Sequence, residues 1–353
     1  MSLRAKDRRP FGGRMLIMAD GCLDVFTAKT AVGLLRYRRE GVVAVLDRQY
    51  AGKDLGTLVS AGSGIPIVAS VADALALRPT TFVIGAATAG GRLPCGWRAD
   101  VLAALQAGLD VVNGLHERLS GDAALLEAAG RSGARIMDIR RGEQDFPVAT
   151  GRALGTRAHR ILTVGTDCNV GKMVVSLELV RELRERGCEA QMVATGQTGV
   201  LIEGSGVCVD AVLSDFIAGA VESLVCERGD SEIVVVEGQG SILHPGFSGV
   251  AVGLMHGAMP DSMILCHAVG RTSFRGTSMA IPPYDEVIAL YETLMKPLHL
   301  SKVVGVALNC HGLTDRQAKR TVREVQGEVQ LPTTDCVRFG AGVLADAVTA
   351  LAT

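Results

Sequence analysis

The nine residues from Gly165 to Met173, GTDCNVGKM, carry the plainest chemistry in the chain. An apolar run at 160–164 precedes them and reads as a buried strand. A segment at 172–186 follows, with Val174, Val175, Leu177, Leu179, Val180 and Leu183 at helical spacing and charges between them. Gly187 supplies the stop. A strand, a glycine-bearing turn and a helix opening on Gly171-Lys172 form a cradle for phosphate. Backbone N–H groups of Gly165, Thr166, Asp167, Cys168, Asn169, Val170, Gly171, Lys172 and Met173 surround the anion, and the Lys172 ammonium adds a point charge. Two departures from the common G-x-x-x-x-G-K-[ST] pattern matter. The glycines are one residue further apart, and Met173 stands where a hydroxyl normally holds Mg²⁺.

The elements that must position this loop alternate along the whole chain. Strand-like runs at 14–19, 42–47, 65–69, 81–84, 111–113 and 135–138 are separated by helical patterns at 27–39, 71–77, 99–107 and 123–131. That rhythm predicts an α/β fold, with an N-terminal Rossmann-like, doubly wound parallel sheet over residues 1–145. The first turn, at 20–24, lacks G-x-G-x-x-G, and Asp47 at the second strand's end reads as a turn cap. The loop 85–91 and the cluster Asn113 to Glu117 lie at strand ends, with His116 read as a surface or capping residue. Periodicity lapses at 140–157, the expected linker. A second, P-loop NTPase-like parallel sheet is expected over 146–353. Its strands fall at 160–164, 189–195, 232–236, 262–266, 302–308 and 331–335, and a terminal helix at 342–351.

Glu237 stands at the carboxyl end of the 232–236 strand, the position that opens onto the crevice of such sheets. Gly238 and Gly240 beside it leave room for a ligand. His244, beside Pro245, and His256, beside Gly257, are each open to a structural reading as well as a functional one. His267 ends the 262–266 strand, and Arg271 and Arg275 follow in a polar loop. Either guanidinium is able to clamp a carboxylate bidentately or to face solvent.

Composition bounds the rest. The chain has 353 residues, enough for two α/β domains, with 48% hydrophobic and only 4% aromatic residues, as parallel sheets of small aliphatics require. A net charge of −1 offers no electrostatic case for nucleic acid or an anionic membrane. The basic run from Arg4 to Arg14 reads as a leader without structure. No apolar stretch approaches a membrane span, and nine cysteines without a C-x-x-C pair argue against a zinc or disulfide framework. A cytoplasmic protein, acting on small molecules and forming a homo-oligomer, is the expectation.

GTDCNVGK is similar to the loop of dethiobiotin synthetase-like NTPases, which share the longer spacing. In those enzymes the second strand ends K-P-V-A-S-G and its Lys holds a substrate carbamate. Here Gln191 takes that place in Gln191-Met192-Val193-Ala194-Thr195-Gly196. The resemblance implies Mg²⁺-binding carboxylates at Asp210 and Glu237, and adenine contact at Asn309. A narrower resemblance spans nearly the whole chain. GTDCNVGK, the run from Asp210 to Phe216, Glu237-Gly238-Gln239-Gly240-Ser241 with His244-Pro245, and His256-Gly257 with Pro260-Asp261 look like a two-domain P-loop family. These are the motifs of the DgcN type, whose members are assigned as D-glutamate N-acetyltransferases using acetyl-CoA. Val174-Val175 departs from the threonines expected there.

That resemblance implies an N-acetyltransferase moving acetyl from acetyl-CoA to the α-amine of an acidic amino acid such as D-glutamate. Coenzyme A carries a diphosphate that the cradle can hold. No phosphoryl group moves, so the loss of the metal hydroxyl at Met173 is tolerable. The reaction needs a base, with Glu237 the first candidate and His267 the second. It also needs oxyanion donors, for which Gly238, Gly240 and Ser241 are suited, and a carboxylate clamp at Arg271 or Arg275. No metal is required. The alternative is an ATP- and Mg²⁺-dependent ligase or kinase, in which Asp210 and Glu237 hold the metal. A third class, nucleotide-gated regulators, carries an extra Lys near the loop's start, where this chain has Thr166-Asp167.

Overall fold

The computed structural model describes residues 13–24, 27–141 and 145–352, so most of the basic run and part of the expected linker lie outside them. The chain forms two compact units. One comprises Met1–Gly142 with Gln197–Ala211, the other Glu143–Gly196 with Val212–Thr353.

In the first unit, six strands form one parallel sheet: β1 (Met15–Met18), β2 (Val42–Leu46), β3 (Ile67–Val68), β4 (Thr81–Ile84), β5 (Asp110–Asn113) and β6 (Ile136–Asp138). Their order is β3-β2-β1-β4-β5-β6, the doubly wound arrangement that the βαβ rhythm predicts. The strands are short aliphatic runs because helices cover both faces. β1 (MLIM) and β4 (TFVI) are buried at every position. One face packs Leu16, Phe82, Ile84, Trp97, Leu105 and Val111 into a common core. Gly85 follows β4 for a packing reason, since a Cβ there would meet the Ile17 side chain at 2.4 Å. Asp47 caps its turn as expected, accepting the N–H groups of Gln49 and Tyr50 on one oxygen and of Gly21 on the other.

The excursion Gln197–Ala211 belongs to this unit. Its helix Gln197–Glu203 packs on the helix Lys29–Tyr37, where the Thr30 and Thr198 hydroxyls meet at 2.8 Å. Arg140 fastens it. The guanidinium donates to Gly114 O at 2.8 Å and to Gln197 Oε1 at 2.7 Å, and it engages the Asp210 carboxylate.

The second unit holds β7 (His159–Gly165), β8 (Ala190–Val193), β9 (Ile233–Val236), β10 (Ser262–Ala268), β11 (Lys302–Asn309) and β12 (Thr333–Thr334), all parallel in the order β12-β11-β10-β7-β9-β8. Strand order reverses around β7, so the loops after β7, β9 and β10 share one end of the sheet. The helix Lys172–Glu185 leaves that end, and Gly187 past its C-terminus has φ of +87°. Residues 147–149 run against the helix Ser214–Cys226 at Gly219, and the buried Glu222 carboxylate holds them by accepting Thr150 N–H and Arg152 N–H. Among the described residues, no helix is long and apolar enough to cross a membrane.

Candidate functional site: the loop Gly165 to Met173

β7 is buried through Gly165, and the chain then turns back on itself to open the helix at Lys172. Two residues make that turn with left-handed backbone: Asn169 at φ +54° and Gly171 at φ +107°. Gly165 must lack a side chain, because a Cβ would sit 2.8 Å from both Asp167 O and Lys172 Nζ. Among the described residues, the N–H groups of Asn169 to Met173 donate to no protein acceptor. They form a concave row of donors at a helix N-terminus, the arrangement that binds anions. Lys172 lies beneath them, 5% exposed, with Nζ donating to Asp167 O at 2.8 Å. Burial lowers its pKa to about 8, so it is still charged at neutral pH.

Asp167, fully buried, ties the loop to the segment after β10. Its Oδ1 accepts Cys168 N–H at 2.7 Å. Its Oδ2 accepts the Arg271 guanidinium at 3.0 Å and Arg275 N–H at 2.8 Å. Arg271 also donates to Cys168 O at 2.7 Å. Arg271 Nη1 is therefore a brace of the loop, because the buried aspartate needs a countercharge. His244 completes the tie. Its Nδ1 accepts Gly246 N–H at 3.0 Å, which leaves Nε2–H to donate to Arg275 O at 3.0 Å. The ring packs on Phe247, with centroids 4.5 Å apart. Asp167, Cys168 and His244 group potential metal ligands within 4.8 Å of one another, yet both His244 nitrogens and both Asp167 oxygens already have partners. The Arg275 side chain is different. It is exposed and, among the described residues, makes no hydrogen bond or ion pair.

Glu237 follows β9 and is 3% exposed. Its Oε2 accepts Thr195 N–H at 3.0 Å and Gly196 N–H at 3.2 Å, and its Oε1 accepts Gln239 Nε2 at 3.1 Å. The carboxylate thus holds the end of the β8 segment. The two glycines beside it make no space for a ligand, contrary to the expectation. A Cβ on Gly238 would sit 1.6 Å from Thr163 O, and one on Gly240 2.5 Å from Phe247 O. Gly238 N–H is not an oxyanion donor either, since it bonds Thr163 Oγ1 at 2.9 Å. Thr163 Oγ1 in turn meets Ser176 Oγ at 3.0 Å, so one hydroxyl pair joins β7, the helix and the segment after β9. The N–H groups of Gly240 and Ser241 have no acceptor among the described residues.

His267, in the last turn of β10, places Nδ1 2.9 Å from the buried Thr166 hydroxyl. Burial, with Arg271 adding to it, pushes its pKa down to about 4, so the ring is neutral at physiological pH. Tyr284 meets it edge-on at 5.2 Å. Tyr291, from the helix Tyr284–Met295, was not among the residues singled out from the sequence. Its buried hydroxyl donates to Gly165 O at 2.8 Å and accepts Ile242 N–H at 3.3 Å, anchoring the root of the loop. Asn309 ends β11 beside the loop, its Cβ 3.9 Å from where a Gly171 Cβ would stand, with Oδ1 accepting His311 N–H at 3.1 Å. Asp210 lies in the other unit, engaged by Arg140 and 3.9 Å from His116 Nε2. An aspartate already neutralised by a guanidinium is poorly suited to the metal role that the synthetase resemblance implied.

Comparison with known proteins agrees with this anatomy. Residues 48–142 match a Rossmann-like domain and residues 147–345 a P-loop domain, the N- and C-terminal parts of a family described as a domain of unknown function, DUF1611. The chain is 37% identical over 335 residues to a protein named D-glutamate N-acetyltransferase from Tritonibacter scottomollicae, covering 93% of this chain and 96% of that one. It is 35% identical to a second protein of that name from a Pseudoalteromonas species, covering 92% and 95%. A crystal structure of a DUF1611 family protein from Anabaena variabilis superposes with a TM-score of 0.92 at 41% identity, covering 96% of this chain and all of that one. With both halves matched in order and relatives spanning nearly its full length, the chain belongs to the DUF1611 family.

Proposed function

We propose that the chain is an N-acetyltransferase that moves acetyl from acetyl-CoA to the α-amine of an acidic amino acid, D-glutamate being the foremost acceptor. The observation that carries this reading is the cradle itself: a complete row of main-chain donors and a buried Lys172, with Met173 in place of the metal-binding hydroxyl. Such a cradle suits an anion that must be held and not broken. The names of the two relatives supply the reaction class.

Acetyl-CoA, when bound, supplies a thioester carbonyl for the amine to attack. The chain's part is to hold the diphosphate on Asn169 to Met173 and Lys172, to accept the ammonium proton and to meet developing negative charge. Glu237, a buried carboxylate at the carboxyl end of β9, is the first candidate for that proton. His267, neutral and hydrogen-bonded to Thr166, is the second. Gly240 and Ser241 N–H groups are free to face an oxyanion. Asn309, whose Cβ borders Gly171 of the cradle, is the candidate for contact with the adenine.

The test is release of free thiol from acetyl-CoA by the full chain with D-glutamate, in EDTA. Activity should persist without metal, and Lys172→Ala should weaken acetyl-CoA binding by about 2–3 kcal/mol, the scale of a hydrogen bond to a charged group. Hydrolysis of ATP with Mg²⁺ at enzyme-like rates, with no thiol released, would sink this reading and favour an ATP-dependent ligase.

A further inference from the structure

Arg275 is held in an unusual way. Its N–H is bonded by the buried Asp167 carboxylate at 2.8 Å, and its carbonyl by the buried His244 at 3.0 Å. Asp167 belongs to the loop, and His244, whose tautomer is set by Gly246, has its Nε2 3.8 Å from Asp167 Oδ1. The backbone of Arg275 is thus held on one side by the opening turn of the cradle and on the other by His244 beside it, while its guanidinium is exposed and unpaired among the described residues. Its charge reaches the loop, since it acts on Cys168 together with Lys172 and Arg271. Arg271 differs, with its guanidinium Nη1 donating to Asp167 and to Cys168 O. Two arginines four residues apart therefore divide the work: one builds the loop and the other is left over.

The geometry points to Arg275 as a phosphate-reading residue of the cradle, supplying the positive charge that a hydroxyl-bound metal supplies in loops without Met173. This assignment rests on reading the loop as an anion cradle. It replaces the expectation that Arg275 clamps the acceptor's carboxylate. Three features favour phosphate. The clamp fixes Arg275 relative to the loop and not to any acceptor pocket. A guanidinium carried on a backbone held at the loop suits phosphoryl oxygens, which it can meet bidentately. Lastly, Met173 leaves a diphosphate charge that Lys172 alone does not balance.

The experiment uses the full chain and titrates wild type, Arg275→Ala and Arg275→Lys with coenzyme A and with inorganic pyrophosphate, in EDTA. It also measures the KM for D-glutamate at saturating acetyl-CoA. Arg275→Ala should weaken coenzyme A and pyrophosphate alike, by about ten- to a hundredfold, the range of one charge-assisted hydrogen bond. Arg275→Lys should recover part of that loss, and the KM for D-glutamate should stay within about twofold. Unchanged affinity for both anions in Arg275→Ala overturns the assignment. So does a raised KM for D-glutamate with coenzyme A binding intact, which would make Arg275 the carboxylate clamp. If the protein ignores coenzyme A but binds ATP, and Arg275→Ala weakens that binding, the assignment stands and the acetyltransferase reading falls. Because the side chain is exposed and its backbone bonds survive substitution, the variants are expected to unfold at the wild-type temperature, which a thermal melt checks.

Discussion

At the scale of single residues, the site shows how burial decides which candidates keep their chemistry. Three side chains nominated by position, Glu237, His267 and Arg271, are bonded to protein groups, as is the buried Asp167 carboxylate. Lys172 lies buried beneath the cradle, and the Arg275 guanidinium is exposed and makes no hydrogen bond or ion pair among the described residues. His267 offers a test of this environment that is independent of catalysis. Its pKa falls from 6.5 in the unfolded chain to about 4 in the folded one. Between those values the unfolded state binds the extra proton, so stability rises with pH through the window and is lost as pH falls from 6.5 towards 4. The loss attributable to this residue is about 3 kcal/mol, from about 1.4 kcal/mol per pKa unit. His267→Asn, which keeps a polar group near Thr166, should therefore show a shallower acid limb in urea unfolding between pH 4 and 6.5. An acid limb as steep as that of the wild type would mean that His267 titrates in the native state.

At the scale of elements, the loop's shape depends on contacts made underneath it. β7 and the segment after β9 approach so closely that Thr163 O occupies the place of a side chain on Gly238. Gly238→Ala must push the two apart and break the Gly238 N–H bond to Thr163 Oγ1, at a cost of about 3 kcal/mol, the upper range for overpacking. Gly249→Ala is the contrasting case. It lies in the helix Ser248–Ala258 with open space around it, so alanine should stabilise by about 0.5–1 kcal/mol. Opposite signs in the urea midpoints are the expected outcome; equal small effects would remove the close approach from the account of the loop. Tyr291 acts at the same level, since one hydroxyl from the helix Tyr284–Met295 joins Gly165 to Ile242.

At the scale of the whole molecule, the chain crosses between its units more than once. Residues 197–211 leave the P-loop unit straight after Gly196, whose N–H is held by Glu237, and pack on the helix Lys29–Tyr37 of the Rossmann-like unit. The two units are therefore not separable by a single cut. A fragment beginning at residue 143 would carry 197–211 without the helix and without Arg140 to hold it, exposing Val200, Leu201 and Ile202, which are buried in the full chain. Limited proteolysis should nick that fragment within 197–211 while the same segment resists in the full chain. Equal resistance in both would show that the segment folds on its own.

What the sequence determined by itself was the alternation of elements and the existence of the cradle. Both are local: the aliphatic runs of β1, β4, β7 and β9 and the spacing of Gly165, Gly171 and Lys172 are written in contiguous residues, and parallel sheets buried on both faces have few other ways to use them. Strand limits agree to within a residue or two for most of the chain. The tertiary structure alone decided the partners. Nothing in the spacing of Arg271 and Arg275 says that one guanidinium turns onto Asp167 and the other stays free. Nor does the run Glu237-Gly238-Gln239 say that its carboxylate binds residues 195–196 and its glycine the β7 strand. The excursion of 197–211, fastened by Arg140 from 57 residues before Gln197, was equally silent. Such assignments depend on which charges and N–H groups from distant parts of the chain are buried together, and each buried group takes whatever partner spares it an unmade bond.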